Sequence, residues 1–184
     1  MVIEMKNTIK KQSLLAPLIV LPILLFLDQL TKLLATNHLK GQANYSLIPN
    51  ILEFTYLENT GAAFSSFLGK QGFLISLTTV VLFFLLWKYL TIPEGKRFFL
   101  MRTAFLLLIS GGIGNLIDRV KNGFVVDFIY FVPIDFPRFN VADCYVSIGM
   151  ALLCIISFFY YKDEELDFLF KNKKTKSPKS KDTD

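Results

Sequence analysis

Two aspartates, Asp127 and Asp143, each lie within a run of apolar residues. Asp127 stands between Val125 and Ile129, and Asp143 lies just before Cys144 in an equally apolar segment. An ionisable side chain at membrane depth costs about 2.5–3.5 kcal/mol or more, so such a residue usually serves a function. Two carboxylates a few ångströms apart cannot both ionise easily, and the pair then holds a proton near neutral pH. If the fold brings them together, one can take a proton from water while the other donates to a carbonyl oxygen, which suits amide hydrolysis.

Three other interpretations of these residues are open. Asp143 could cap the start of a helix, which aspartate does well. A metal site is another option, although His38 is the only histidine and no spacing resembles that of zinc ligands. A Cys–His pair would need His38 to reach Cys144 from the end of a different helix. The residue types and spacings therefore give little support to a metal site or to a Cys–His pair, while the capping role remains open.

The composition indicates a polytopic membrane protein of one domain. Of the 184 residues, 53% are hydrophobic, 19% are charged and 19 are phenylalanine, and the mean hydropathy is +0.47. Such a chain can supply several membrane-spanning helices. Six lysines follow residue 170, and lysines beside a membrane span report topology and anionic lipid. Binding to nucleic acid is not expected.

Hydropathy predicts four transmembrane helices of about 20 residues each. Their predicted ranges are Leu14–Ala35, Phe73–Leu90, Phe98–Ile117 and Val141–Tyr161. Basic residues flank the N-terminus, the second connection and the C-terminal tail, which places both termini in the cytoplasm. The first segment could also be a cleaved signal peptide, but no small-residue cleavage site follows it.

The predicted fold is an all-α membrane protein with a small β element. Residues 1–162 form the membrane domain, with outer loops 36–72 and 118–140, and residues 163–184 form a polar cytoplasmic tail that is expected to be disordered. Alternating residues at Leu52–Tyr56 predict a half-buried strand, and Asn59-Thr60-Gly61 predicts a turn. The apolar segment Phe124–Phe131 is expected to dip against the helices as a loop.

Other polar residues lie at the same predicted depth as the aspartates. Asp28 and Lys32 are four residues apart on the first helix and can pair, as can Asn115 and Arg119 on the third. Arg119 could hydrogen-bond or hold the carboxylates in place. Two further amide donors are expected near the site, Asn59 and Asn140. Small residues between Gly111 and Gly114 predict close helix packing.

Five blocks of this sequence resemble the lipoprotein signal peptidases, the type II signal peptidases of bacteria. In chain order the blocks are Asp28–Lys32, Asn59–Phe64, Gly111–Arg119, Val125–Ile129 and Phe139–Asp143. The resemblance implies an aspartyl endopeptidase of the bacterial cytoplasmic membrane. The predicted topology puts both aspartates near the outer face, where the strand at Leu52–Tyr56 and the turn after it could form an outer β cradle for a peptide. It implies cleavage of a prolipoprotein just before a diacylglyceryl-modified cysteine, and inhibition by globomycin-type peptides.

The same resemblance assigns roles to individual residues. Asp127 and Asp143 match the catalytic pair. The residues that match positions supporting the site or binding substrate are Asp28, Lys32, Asn59, Gly61, Asn115, Arg119 and Asn140. The implied protein needs no metal or organic cofactor, and we expect a monomer in contact with membrane lipid.

Two functions of other classes compete with this one. A small proton-coupled transporter or channel subunit could use the same carboxylates as a proton relay. The lack of an inverted repeat in a chain of four spans argues against it. A lipid-binding scaffold would have no reason to need two acids.

Overall fold

The computed structural model describes residues 2–61, 70–162 and 165–166, and for residues 2–16 it describes the backbone only. The described helices are α1 (Val2–Leu39), α2 (Gln71–Thr91), α3 (Phe99–Asn122) and α4 (Val141–Phe159). The described strands are β1 (Tyr45–Ile48), β2 (Leu52–Asn59) and β3 (Val125–Phe131). The predicted fold class, helical with a small β element, is confirmed.

Within the described part of the chain, four stretches are long and apolar enough to cross a membrane: Pro17–Leu39, Gln71–Thr91, Lys96–Asn122 and Val141–Phe159. They coincide with the four predicted spans, but the helix ends differ. α3 runs more than a turn past the predicted end at Ile117, because its polar last turn is still helical. It ends where Gly123 adopts the left-handed conformation (φ 78°) and donates its N–H to the carbonyl of Arg119.

Helix α3 lies at the centre of the bundle and packs against the other three helices. In its most apolar stretch 56% of the residues are buried, whereas the corresponding share in each of the other three spans is 17%. Close approach of α3 and α4 depends on small residues. As predicted for the third helix, a side chain at Gly111 would strike the carbonyl of Ala142, and Gly149 of α4 adds a second such contact, with the carbonyl of Ala104. The bundle therefore fixes α4 against α3 with little freedom.

The three strands form one antiparallel sheet in the order β1-β2-β3. The predicted strand at Leu52–Tyr56 is confirmed as part of β2. The segment predicted as an apolar loop is instead strand β3, and its first four residues are buried. Uniform burial removes the alternation that identifies a half-buried strand, which explains the error. Beyond β3 the chain folds back, and Phe139 bridges to Ile129 just before α4 begins.

Two predicted segments lie largely outside the described residues. The tail 163–184 is described only at Glu165 and Leu166, where Glu165 pairs with Arg97 at 2.9 Å. The resemblance block that begins at Asn59 is described only as far as Gly61.

Candidate active site

Asp127 and Asp143 line the same cavity. Asp127 lies within β3, paired in register with Leu57 of β2, and is 2% exposed. Asp143 lies in the first turn of α4 and is half-buried. The cavity has a volume of about 790 Å³ and is bordered by α3, α4, the sheet and the connection between β3 and α4. The fold thus brings together two residues that the sequence places sixteen positions apart.

Both oxygens of Asp127 accept hydrogen bonds from side-chain amides. Asn59 donates to Oδ2 at 2.8 Å, and Asn140 donates to Oδ1 at 2.7 Å. Burial raises the pKa of Asp127 to about 6, and the charge of Asp143 adds to this effect, while the hydrogen bonds from Asn59 and Asn140 oppose it. Asp127 therefore exchanges a proton close to neutral pH.

Asp143 is held at the start of α4 by a capping box. The N-cap residue is Asn140, whose extended backbone (φ −133°, ψ −178°) allows its Oδ1 to accept from the backbone N–H of Asp143 at 3.0 Å. In return, Oδ2 of Asp143 accepts from the backbone N–H of Asn140 at 3.1 Å. The alternative in which Asp143 is itself the N-cap is wrong, because Asp143 occupies the third helical position and completes the box.

Asn140 contacts both aspartates. It is fully buried, and its amide nitrogen donates to Asp127 at 2.7 Å and to Oδ1 of Asn115 at 3.2 Å. Its backbone N–H and its side-chain oxygen both face Asp143. A buried amide with all of its groups bonded has one orientation, so it fixes the two carboxylates relative to each other.

Asn115 is the second partner of Asp143. Its Nδ2 donates to Oδ1 of Asp143 at 2.8 Å, and its Oδ1 accepts from the ammonium of Lys32 at 2.9 Å. Lys32 also forms the predicted ion pair with Asp28 at 3.0 Å. The contact from Lys32 determines which end of the Asn115 amide is an acceptor, and so directs the donor end at Asp143.

Sequence reasoning missed two members of this network, Asp118 and Gln29. Asp118 is 3% exposed and accepts from Lys32 at 3.0 Å, while Gln29 donates to Asp118 at 3.0 Å and to Asp28 at 3.1 Å. The signal was present for Asp118, which lies one turn after Asn115 and so shares its helix face. Gln29 follows Asp28 directly but carries no spacing signal of its own.

Arg119 does not hydrogen-bond to either carboxylate among the described residues. It donates to the carbonyl of Gly61 at 3.1 Å and, more weakly, to that of Asn115 at 3.4 Å, while its Nε has no partner in the described part of the chain. The carboxylates of Asp143, Asp127 and Asp118 act on its charge from a distance. Arg119 therefore supplies positive potential to the site and holds the turn that follows β2.

The turn at Asn59-Thr60-Gly61 orients a donor to Asp127. The backbone N–H of Gly61 donates to Oδ1 of Asn59 at 2.9 Å, which leaves Nδ2 of Asn59 directed at Asp127. An asparagine that accepts from the residue two positions later forms an Asx turn. Arg119 then holds the carbonyl of Gly61, so the turn is fixed at both of its backbone groups.

Above the carboxylates the cavity wall is mainly apolar. The connection before α4 contributes Phe136, Pro137 and Phe139, and α4 contributes Val146 and Ile148. A cavity with an apolar wall and a few convergent polar groups is typical of ligand sites. The arrangement has room for an apolar ligand beside two carboxylates, the kind of groups that serve in general acid–base chemistry.

Comparison with known proteins places this architecture in a family. The family model described as signal peptidase (SPase) II matches residues 20–159. A lipoprotein signal peptidase of Clostridium tetani is 44% identical over 141 residues, covering 75% of this chain and 89% of the relative. The lipoprotein signal peptidase of Streptococcus pyogenes serotype M6 is 39% identical over 133 residues, covering 72% of this chain and 86% of the relative.

Two solved structures share the fold. Both are described as a bacterial membrane enzyme structure by the in meso method, one at 2.3 Å resolution and one at 1.9 Å. The first has a TM-score of 0.69 and 31% identity, covering 88% of this chain and 94% of that one. The second has a TM-score of 0.69 and 33% identity, covering 80% of this chain and 94% of that one. The sequence match and the shared fold together show that this multi-pass membrane protein belongs to the signal peptidase II family of proteases.

Proposed function

We propose that this chain is an aspartyl endopeptidase that removes the signal peptide from diacylglyceryl-modified prolipoproteins and cuts just before the lipid-bearing cysteine. The observation that carries the proposal is Asn140, which contacts both Asp127 and Asp143 at the edge of one cavity. Family membership supports the cleavage of prolipoprotein signal peptides. The aspartyl mechanism and the position of the cut are our inference from the site.

The proposed reaction begins with one carboxylate ionised and the other protonated. The ionised carboxylate removes a proton from water, and the resulting oxygen forms a bond to the carbonyl carbon of the scissile amide. The protonated carboxylate donates its proton to the carbonyl oxygen, which gives a neutral tetrahedral intermediate. When the C–N bond breaks, the leaving nitrogen takes the proton first removed from water, and the second carboxylate recovers its own. The raised pKa of Asp127 suits a group that must exchange a proton near neutral pH.

The position of the pair suits a substrate anchored in lipid. Asp143 lies in the first turn of a membrane span, and Asp127 lies on the sheet next to that end of the bundle. A diacylglyceryl group keeps the bond beside it close to the membrane surface, and the apolar cavity wall offers a place for it. We propose that this end faces outward from the bacterial cytoplasmic membrane, with both termini in the cytoplasm. The basic residues Lys88, Lys96 and Arg97, between α2 and α3, lie at the opposite end of α3 and support this orientation.

Purified protein in detergent with a lipid-modified precursor peptide tests the substrate and the cut site. Mass spectrometry should detect a signal peptide that ends at the residue before the modified cysteine, and a lipid-bearing product that begins with that cysteine. The same peptide without the diacylglyceryl group is the control and should be cleaved far more slowly. Cleavage at another bond, or equal cleavage of both peptides, contradicts the proposed specificity. A globomycin-type peptide should block the reaction, and a chelator should not.

A further inference from the structure

One buried cation connects the backbone segments that carry the two aspartates. The ammonium of Lys32 lies 3.0 Å from Asp28, 3.0 Å from Asp118 and 2.9 Å from the side-chain oxygen of Asn115. An ammonium has three N–H bonds, and each has an acceptor here. The side chains of Lys32, Asp28 and Asp118 are at most 4% exposed.

The two aspartates bound to Lys32 also hold the backbone beside the catalytic pair. Asp28 accepts from the N–H of Ala142 at 3.0 Å, one residue before Asp143. Asp118 accepts from the N–H of Val126 at 3.3 Å, one residue before Asp127. The carboxylates of α1 and α3 thereby reach the start of α4 and strand β3, and both are bound to the same ammonium.

Gln29 forms a second connection between Asp28 and Asp118, in addition to the one through Lys32. Its amide nitrogen donates to Asp28 at 3.1 Å and to Asp118 at 3.0 Å. We name the four residues Asp28, Gln29, Lys32 and Asp118 the Lys32 cluster. The cluster contains one cation and two carboxylates, so it carries a net negative charge inside the bundle.

Such a cluster is a poor way to gain stability alone. Apolar residues that fill the same space are often as stabilising as a buried ion pair, or more so, because burial removes the hydration of the charges. A charged cluster has two effects that apolar packing lacks. It fixes backbone N–H groups through directional hydrogen bonds, and it changes the electrostatic potential at neighbouring carboxylates.

We infer that the Lys32 cluster is a positioning device that sets the distance between Asp127 and Asp143 and controls how the two carboxylates share a proton. The inference deepens the proposed function and rests on it. Gln29 and Asp118 are thereby assigned to the catalytic machinery as positioning residues, although they do not line the cavity.

The electrostatic part of the inference predicts opposite effects for two substitutions. Among the described residues, the charge of Lys32 acts on Asp127, and Arg119, Arg138 and the thiol of Cys144 line the cavity with the pair. Asp28 and Asp118 lie behind the pair on Lys32, while Asn59 of β2 and Asn140 are neutral donors. Lys32→Gln removes a positive charge and makes ionisation of the pair harder, so both limbs of the pH–rate profile should move to higher pH. Asp118→Asn removes a negative charge and should move both limbs to lower pH.

The test measures kcat, KM and the pH–rate profile of purified variants with a lipid-modified precursor peptide. Lys32→Gln and Asp118→Asn should each lower kcat by about 100-fold with KM nearly unchanged, as expected when catalytic groups are misplaced by about 1 Å. Their pH limbs should move in opposite directions by about half a unit or more. Gln29→Met keeps every charge, so it should lower kcat without moving the limbs. Lys40→Gln removes an exposed cation beyond the end of α1 and is the matched control, with no change expected.

Thermal unfolding of each variant separates misfolding from misplacement. If Lys32→Gln does not fold, the other two variants still test the inference. Asp118→Asn does so through the shift of its pH–rate profile, and Gln29→Met through its kcat. The inference is overturned if folded cluster variants behave like Lys40→Gln, or if kcat falls while Asp118→Asn leaves the limbs where they are. An active Asp127→Asn enzyme would instead overturn the proposed function, so the two failures are distinguishable.

Discussion

A methyl group at Gly114 should disrupt the site from the side opposite the cavity. A Cβ at this position would lie 2.5 Å from Oδ2 of Asp28 and 3.3 Å from the Cβ of Ala142. Neither neighbour can retreat easily, because Asp28 is bonded to Lys32 and to the N–H of Ala142. The carboxylate must move, and the start of α4 must move with it. Gly112 offers the matched control, since a Cβ there would lie 2.8 Å from Leu82, the flexible end of an apolar side chain.

The cost of Gly114→Ala follows from two effects. Extra volume in a packed core costs about 1–3 kcal/mol. Breaking a buried ion pair costs about 3–5 kcal/mol. Because Gly114→Ala displaces the pair of Asp28 and Lys32 without removing either partner, only part of that cost is expected. We expect a total of about 3–5 kcal/mol for Gly114→Ala and about 1 kcal/mol for Gly112→Ala. The higher helix propensity of alanine favours both variants equally and cancels in the comparison.

Unfolding in detergent by heat and by denaturant measures the difference between the two variants, and peptide cleavage measures its effect on catalysis. Gly114→Ala should be less stable than Gly112→Ala and should lose most of its activity even below its unfolding temperature. A Gly114→Ala variant with wild-type stability refutes the close contact with Asp28. Equal damage from Gly112→Ala shows that general packing, rather than the carboxylate, is the cause.

Three further predictions concern the groups around Asp127. Its pKa is raised from 3.8 to about 6. The free energy of unfolding therefore falls as pH rises through this window, because the folded state resists ionisation of Asp127, and the loss reaches about 3 kcal/mol at pH 7. Asp127→Asn avoids this loss but gives up about 1 kcal/mol of hydrogen bonding. The variant should therefore be more stable than wild type at pH 7 and less stable at pH 4. The same order of stability at both pH values would contradict the raised pKa. Arg119→Ala should lower kcat by on the order of 10- to 100-fold because the turn at Gly61 loses its donor, and a stable, fully active variant would show that its assigned role is wrong. Asn59→Ala should raise the pH at which Asp127 ionises, because Asn59 favours the charged form, and an unchanged pH–rate profile would argue against that contact.

Hydropathy predicts the spans well because membrane burial requires about 20 consecutive apolar residues. It cannot say where a helix ends once the apolar run stops, so the predicted third span ends at Ile117, before the polar last turn of α3. That turn carries Asp118 and Arg119, and the i, i+4 spacing from Asn115 singles out Arg119 alone. A carboxylate at a helix end has the same sequence signal whether it decorates the surface or binds a buried lysine. Only the packing of α1 against α3, which brings Lys32 to Asp118, distinguishes a buried carboxylate from one on the surface.

The aspartates illustrate the same limit at the site. Their apolar surroundings identify them as candidates from sequence, but their meeting depends on β3 pairing with β2 and on the return of the chain at Phe139. Neither event has a local signal, since β3 lacks alternation. The N-cap role of Asn140 is local, because its capping box closes within four residues, but its contact with Asp127 exists only when α4 and β3 are placed together.

The most direct test of the central claim, that Asp127 and Asp143 together perform the cleavage, is single-turnover cleavage of a lipid-modified precursor peptide by Asp127→Asn and Asp143→Asn. Asp135→Asn is the control: Asp135 is exposed in the connection between β3 and α4, and its left-handed backbone (φ 47°) tolerates asparagine. With folding verified by thermal unfolding, we predict that each dyad variant slows cleavage by about 10²–10⁴-fold or more, while the control cleaves at the wild-type rate. Near-normal cleavage by either folded dyad variant would contradict the account.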